Sequence, residues 1–306
     1  MDAPTAADER RHAPDADELW GESWYLDFAA ADGSIGGYVR LGLYPNLGVA
    51  WWWAYVVGPD RRPVLVRDHD VPLPKAPGLE IRTEGLWAEL TCEVPHDHWT
   101  VGMEAFGVAL DDPADAYRGE RGERVAVGLD LEWEADAPVF AYEVSTRYEQ
   151  SCRVHGEVLV GEERIAFDGI GERDHSWGVR DWWIFPWCWT AGHLADGSRF
   201  HAAGTTIDGA PMWSQGFHVT PAGELSAVDG FSYTTETGHE ELPQRSRFAM
   251  GGVDLEAEAV AHAPLLLVAP DGRVGRFPRA LCRFTRADGV TGWGWTEWNQ
   301  PPSPGS

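Results

Sequence analysis

The run GVAWWWAYVVG, residues 48–58, constrains the fold more than any other stretch of the chain. Between its bounding glycines every residue is apolar, and most are aromatic or β-branched. Whatever element it forms is therefore buried on both faces, and at this length between glycines that element is a strand. Its surroundings agree. In GGYVRLGLYP, Val39, Leu41 and Leu43 alternate onto one face; LEIRTEGLWAELTCEV alternates about a turn at Gly85, and RVAVGLDLEWEA alternates throughout. Asp196-Gly197, Asp208-Gly209, Asp271-Gly272 and Asp288-Gly289 supply hairpin turns. Helical periodicity is weak, and only DDPADAYRGERGERV, residues 111–125, offers one short helix.

Many short strands joined by regular turns predict an all-β chain with more than about 40% strand, against an ordinary ~20–25%. Such a chain forms a β-barrel or sandwich. Its 306 residues accommodate two barrels. The expected division is a polar tail over 1–18, a first barrel over 19–150, a second over 151–298 and a tail over 299–306.

Composition narrows the function. The formal net charge of −25 opposes nucleic acid and anionic membrane surfaces as partners, since both require clustered cations. Lys75 is the only lysine, with neither a P-loop nor a dinucleotide-binding glycine motif in the chain. Pyridoxal, P-loop and Rossmann chemistry are not expected, and no cofactor is. Cys92, Cys152, Cys188 and Cys282 are widely spaced and read as reduced thiols of a cytoplasmic protein. No signal peptide and no apolar run long enough to span a membrane are expected. The oligomeric state is left open, a homodimer included.

Seventeen tryptophans suggest large aromatic surfaces in a barrel, a pocket or an interface. The densest stretch is GERDHSWGVRDWW, residues 171–183, which sets six ionisable side chains among three indoles. In an extended strand Glu172, Asp174 and Ser176 share one face, and Arg173, His175 and Trp177 the other. Only a bulge near Gly171 or Gly178 turns Asp174 and His175 toward one cavity. A carboxyl in a tryptophan-lined pocket loses solvation, its pKa rises, and it serves as a general acid. Indole faces stabilise a nearby cation. Together these protonate an alkene, after which water adds or a ring closes. If Arg173 or Arg180 pairs with Asp174 instead, the carboxylate is a base or an anchor.

GIGERDHSWGVRDWW, with YEQSCRVHGEVLVGEERIAFDG just upstream, resembles the signature of the hydroxyneurosporene synthase/AttH-like superfamily. Carotenoid 1,2-hydratases of that group carry a comparable Asp-His-Asn-Trp-Gly core. Asp174, His175, Trp177 and Gly178 match it, and Ser176 stands at the Asn position. ESWYLDF and GGYVRLGLYPN resemble the N-terminal half of actinobacterial members. Related groups include kievitone-type hydratases and fungal decalin-forming Diels–Alderases. The resemblance implies two lipocalin-like β-barrels packed side by side, with a ligand pocket at or near their interface.

The function expected is that of a cofactor-independent hydratase, dehydratase or cyclase, acting by acid catalysis on an apolar isoprenoid- (terpene-) or polyketide-like small molecule. Asp174 is the expected acid and His175 its partner. Trp52, Trp177, Arg180, Trp183, Trp187 and Trp189 are the expected substrate contacts. The alternative is a non-catalytic carrier of a hydrophobic ligand. Glu149 is a candidate second acid. His96 and His98 share a strand face in PHDHW, with Asp68, His69 or Asp70 as a third ligand. They form no closed ligand set, so no metal is expected. His193 and His201 flank the Asp196-Gly197 turn at near cross-strand positions; they could reach the charged motif, but a surface pair on the hairpin is the reading preferred.

Overall fold

Alternation sorts the chain into strands, described here from a computed structural model over residues 3–207, 210–228 and 230–301. The first eleven strands are β1 (Trp20–Ala30), β2 (Gly36–Tyr44), β3 (Val49–Gly58), β4 (Arg61–Pro72), β5 (Leu79–Thr83), β6 (Leu86–Val94), β7 (His98–Leu110), β8 (Gly122–Ala135), β9 (Phe140–Ala141), β10 (Arg147–Val160) and β11 (Glu163–Val179). Ten of them form one sheet in the order β4-β3-β2-β1-β11-β10-β8-β7-β6-β5, and the short β9 pairs with β10 beside this path. Val64 and Leu65 of β4 also pair with Ala109 and Val108 of β7, which closes the sheet into a barrel. This pairing covers part of the outer edge of β4, which would otherwise invite aggregation.

The second set is β12 (Trp187–Leu194), β13 (Arg199–Ile207), β14 (Ala210–Val219), β15 (Leu225–Ala227), β16 (Phe231–Thr237), β17 (Pro243–Met250), β18 (Val253–His262), β19 (Leu265–Val268), β20 (Val274–Phe277), β21 (Arg279–Arg286) and β22 (Thr291–Asn299). Nine of them form a sheet in the order β15-β14-β13-β12-β22-β21-β18-β17-β16, which curls until β16 lies against β13 and β14; β19 and β20 pair separately. Strands make up 66% of the chain, and the expected all-β, lipocalin-like architecture is present. Among the described residues no helix is long and apolar enough to cross a membrane. The expected short helix is a single 3-10 turn, Pro113–Tyr117, capped by the Asp112 carboxylate on the Ala114 N–H.

Three apolar layers follow from the period of two. Ala50, Trp52, Ala54 and Val56 point into the first barrel. Their neighbours Trp51, Trp53, Tyr55 and Val57 point outward, against Trp189, Ala191, Leu281 and Trp295 of the second sheet. Cys188, Phe200, Phe284 and Trp298 fill the second sheet's own concave side. The continuous apolar run is thus buried on both faces. Val39, Leu41 and Leu43 share the first interior as expected. Gly197, Gly272 and Gly289 sit at positive φ in their turns, where glycine carries no steric penalty; the expected Asp208-Gly209 turn lies outside the described residues.

Three boundaries differ from expectation. Both β10 and β11 belong to the first sheet, so the break between sheets falls at 180–186 and not at 150/151. Residues 151–179 are kept in the first barrel by pairing of β11 with both β1 and β10, which no local composition reveals. Nor is the segment before β1 a free tail. The Glu9 carboxylate accepts from Arg173 at 2.8 and 3.2 Å, and His12 stacks on Trp177 with ring centroids 3.8 Å apart. At the other end Asn299 is buried, and its amide holds the carbonyls of Trp182 and Phe185; the remainder of the expected C-terminal tail, 302–306, lies outside the described residues.

Candidate active site

Strand β11 is paired on both sides, so its alternation carries across three strands. On one face Ser23, Ser176 and Arg147 form a row, and Tyr25, Asp174 and Glu149 form the next. On the other face lie Trp24, His175 and Tyr148, then Leu26, Arg173 and Gln150. No bulge interrupts these registers at Asp174 or His175. The two side chains therefore point in opposite directions, and His175 is not the partner of Asp174.

Asp174 faces a cavity of about 350 Å³ between the two sheets. Trp53, Trp182, Trp187, Trp189, Trp213 and Phe277 give it an aromatic wall, and the 180–186 connection passes over it. Arg147 is the partner of Asp174, by a bond of 2.9 Å; it is neither Arg173 nor Arg180. The same guanidinium donates through Nε to Glu149 at 2.5 Å, and Trp189 Nε1 donates to that carboxylate at 3.0 Å. Burial pushes Glu149 up to about 8 against the pull of Arg147, and the charge of Asp174 adds to the rise. Behind this row, burial likewise pushes Asp27 up to about 7, although it accepts from Tyr25 Oη and the Glu172 N–H. Burial and the charge of Glu149 raise Glu172 as well. Burial thus raises a carboxyl on each of three neighbouring strands, Asp27 on β1, Glu149 on β10 and Glu172 on β11.

Of the expected substrate contacts, Arg180, Trp187 and Trp189 line the cavity. Trp52 is enclosed in the first barrel, one residue out of phase with Trp53, which does line the cavity. Trp177 covers His12 instead. Trp183 is buried beside the cavity with its indole N–H on the Leu267 carbonyl at 3.1 Å. Arg40, Arg147, Tyr25, Tyr142, Trp213, Arg279 and Glu297 line the cavity as well and were not anticipated. An arginine inside the apolar run of β2 was the available signal for the first of these.

His175 has a different office. Its Nε2 lies 3.0 Å from Glu22, its Nδ1 3.2 Å from Tyr148 Oη, and its ring stacks on Trp24. Glu22 also takes His12 Nδ1 at 2.7 Å. This network ties Glu9 and His12 to β1, β10 and β11. Among the described residues, His12, Glu22 and His175 are the group whose ligand atoms converge within 4.8 Å; hydrogen bonds account for the spacing. The candidate pair His96 and His98 is engaged elsewhere. His96 Nε2 meets the Thr5 carbonyl, His98 meets Glu132, and His69 is bonded by Trp53 Nε1 and pushed by burial down to about 3. Nor do His193 and His201 form a surface pair. His201 is wholly buried, bonded to Tyr142 Oη at 2.7 Å and 3.7 Å from Glu149.

Fold and site together define a double lipocalin-like β-protein with a charged, aromatic cavity between its sheets. The chain belongs to the family described as Domain of unknown function (DUF7064), whose profile matches residues 5–302. No curated protein matches the chain. Its fold is shared with solved structures of low identity. A protein of Nitrosomonas europaea provisionally called AttH is 15% identical, with 94% of each chain covered and a TM-score of 0.63. Kievitone hydratase from Nectria haematococca is 10% identical, covering 92% of this chain and 90% of its own, with a TM-score of 0.60. CghA, solved with Sch210972, is 12% identical, covering 96% and 94%, with a TM-score of 0.57.

Proposed function

We propose that the chain is an enzyme of the hydratase, dehydratase or cyclase kind, working with its own side chains on an apolar small molecule seated between the sheets. The carrying observation is the row Asp174–Arg147–Glu149. Asp174 faces the cavity, and directly across the ladder Glu149 keeps a proton near neutral pH. A buried carboxyl that keeps its proton, set directly across the ladder from a carboxyl that faces the cavity, is an arrangement suited to proton transfer. In the hydration direction a proton passes from this pair to an alkene carbon. The resulting cation lies against indole faces, and water adds to it and returns a proton to the pair. Dehydration reverses these steps. In ring closure a second double bond captures the cation, and a proton is returned from carbon. Isoprenoid- and polyketide-like skeletons have the double bonds and the apolar surface that this chemistry and this wall require. The kievitone hydratase and CghA folds are compatible with the reading. The four unpaired cysteines fit a reducing compartment such as the cytoplasm.

The test is incubation of the purified protein with apolar polyenes and hydroxylated analogues, followed by mass spectrometry. An enzyme yields a product that differs by one water, or an isomer, and Asp174→Asn slows its formation about 10²–10⁴-fold while binding persists. A carrier binds the same molecules, releases them unchanged, and is indifferent to that substitution.

A further inference from the structure

The cavity's charges do not balance. Four guanidiniums reach it, from Arg40, Arg147, Arg180 and Arg279. Arg147 is paired with Asp174 at 2.9 Å and Arg279 with Glu297 at 2.6 Å. The remaining carboxylate of the lining, Asp181, is drawn away to Arg273 at 3.1 Å. Among the described residues neither Arg40 nor Arg180 has a carboxylate oxygen within 4.0 Å.

Arg40 is 5% exposed, and its Nη1 has no hydrogen-bond partner. Its one side-chain bond is from Nη2 to Tyr44 Oη at 3.3 Å. The guanidinium lies over Trp53 at 4.4 Å and faces Trp182 at 5.2 Å. Gly42 leaves room for it, since a Cβ there would stand 2.5 Å from Nη1. Arg180, at the start of the connection between sheets, buries an Nη2 that also lacks a partner. Arg40, Arg147 and Arg180 line the same cavity. Desolvation pushes Arg180 down to about 10; the like charges of Arg147 and Arg40 add to the fall, and the charge of Asp174 opposes it without bonding to it. Unpaired buried cations are costly unless a ligand completes them.

We infer that the natural ligand is an organic acid, an apolar skeleton bearing one carboxylate that Arg40 and Arg180 receive while the skeleton lies against the tryptophans. The planar guanidinium fork matches carboxylate geometry, and stacking on Trp53 holds Arg40 ready for it. The inference rests on the cavity being the working site, and not on which reaction occurs there. It also accounts for a −25 chain concentrating unpaired cations at one interior place.

The test compares biphenyl-4-carboxylate with biphenyl-4-carboxamide, two probes of nearly equal shape, by tryptophan quenching and calorimetry. The carboxylate is expected to bind at least about tenfold more tightly, the worth of one charge-assisted hydrogen bond. Arg180→Gln should erase most of that preference and leave amide binding unchanged. Arg40→Gln should do the same, with melting followed because Arg40 is buried; the half-buried Arg180 keeps the test decisive if Arg40→Gln does not fold. Equal binding of the two probes, a preference that survives Arg180→Gln, or no binding of either probe overturns the inference. A carboxylate preference that vanishes in Arg180→Gln upholds it even if no acid is ever turned over, which would count against the proposed reaction alone.

Discussion

Replacing Asp174 by Asn separates proton transfer from structural support. In the native row Arg147 Nη2 donates to Asp174 at 2.9 Å and Nε to Glu149 at 2.5 Å. The amide keeps an oxygen for Arg147 and removes only a charge. Glu149 is held up by burial and in part by that charge, so it ionises more readily in the variant and becomes the counter-ion of Arg147. The stability cost is then about 1–2 kcal/mol, well below the roughly 3–5 kcal/mol of an abandoned buried ion. At about 2.1 cal/mol/K per residue, 306 residues give an unfolding entropy of about 0.64 kcal/mol/K. On that entropy the single variant loses about 2–3 °C in Tm. The double variant Asp174→Asn, Glu149→Gln, which leaves Arg147 with no carboxylate, loses about 5–8 °C. Turnover in the single variant falls about 10²–10⁴-fold. Calorimetry and turnover on the wild type, both single variants and the double variant complete the cycle. A single-variant loss as large as the double, with activity falling only as the unfolded fraction grows, refutes the acid–base role and makes Asp174 a strut.

Other consequences are open to measurement. Because the folded value of Glu149, about 8, lies above its ordinary 4.5, the folded state holds a proton that the unfolded chain has released between those values. Its penalty is absent below about 4.5 and grows as pH rises to about 8, so the Tm of Glu149→Gln relative to wild type should climb over that window; a flat difference contradicts this. At His12 desolvation opposes the charge, but the hydrogen bonds and charge of Glu22 prevail and raise it above 6.5. Its stabilisation is complete below 6.5 and fades at higher pH, so the Tm deficit of His12→Ala should be largest in acid and shrink toward alkaline pH. Cys152, Cys188 and Cys282 are buried, and burial pushes even the half-buried Cys92 up to about 11. In native protein at neutral pH an aromatic disulfide reagent should therefore label slowly, Cys92 first, and all four only in denaturant; rapid labelling of more than one thiol contradicts this. Chelation should leave Tm unchanged, and a fall would show that His12, Glu22 and His175 hold a metal.

Much of the fold was legible because period-two alternation is a local signal. Trp51, Trp52 and Trp53 announced a doubly buried strand, and the same alternation placed Asp174 and His175 on opposite faces unless a bulge intervened. What remained hidden was long-range. Nothing near residue 150 marks a break, since β10 and β11 read as strands whichever sheet they join. The partner of Asp174 depends on the register of the β10–β11 hairpin, which sets Glu149 opposite Asp174 and Arg147 opposite Ser176. A sequence gives both strands without that offset. The docking of Glu9 on Arg173 spans 164 positions and comes from a segment whose polar composition reads as solvated chain. The choice of Trp52 over Trp53 turned on phase alone, and a one-residue shift reverses the face.

The most direct measurement is a structure of the protein with a bound substrate or product. The molecule should lie between the two sheets, its reacting carbon within hydrogen-bond reach of the Asp174 carboxyl and its apolar body against Trp187 and Trp189. A molecule found instead inside either barrel, or between the sheets but turned away from Asp174, would contradict the proposed site.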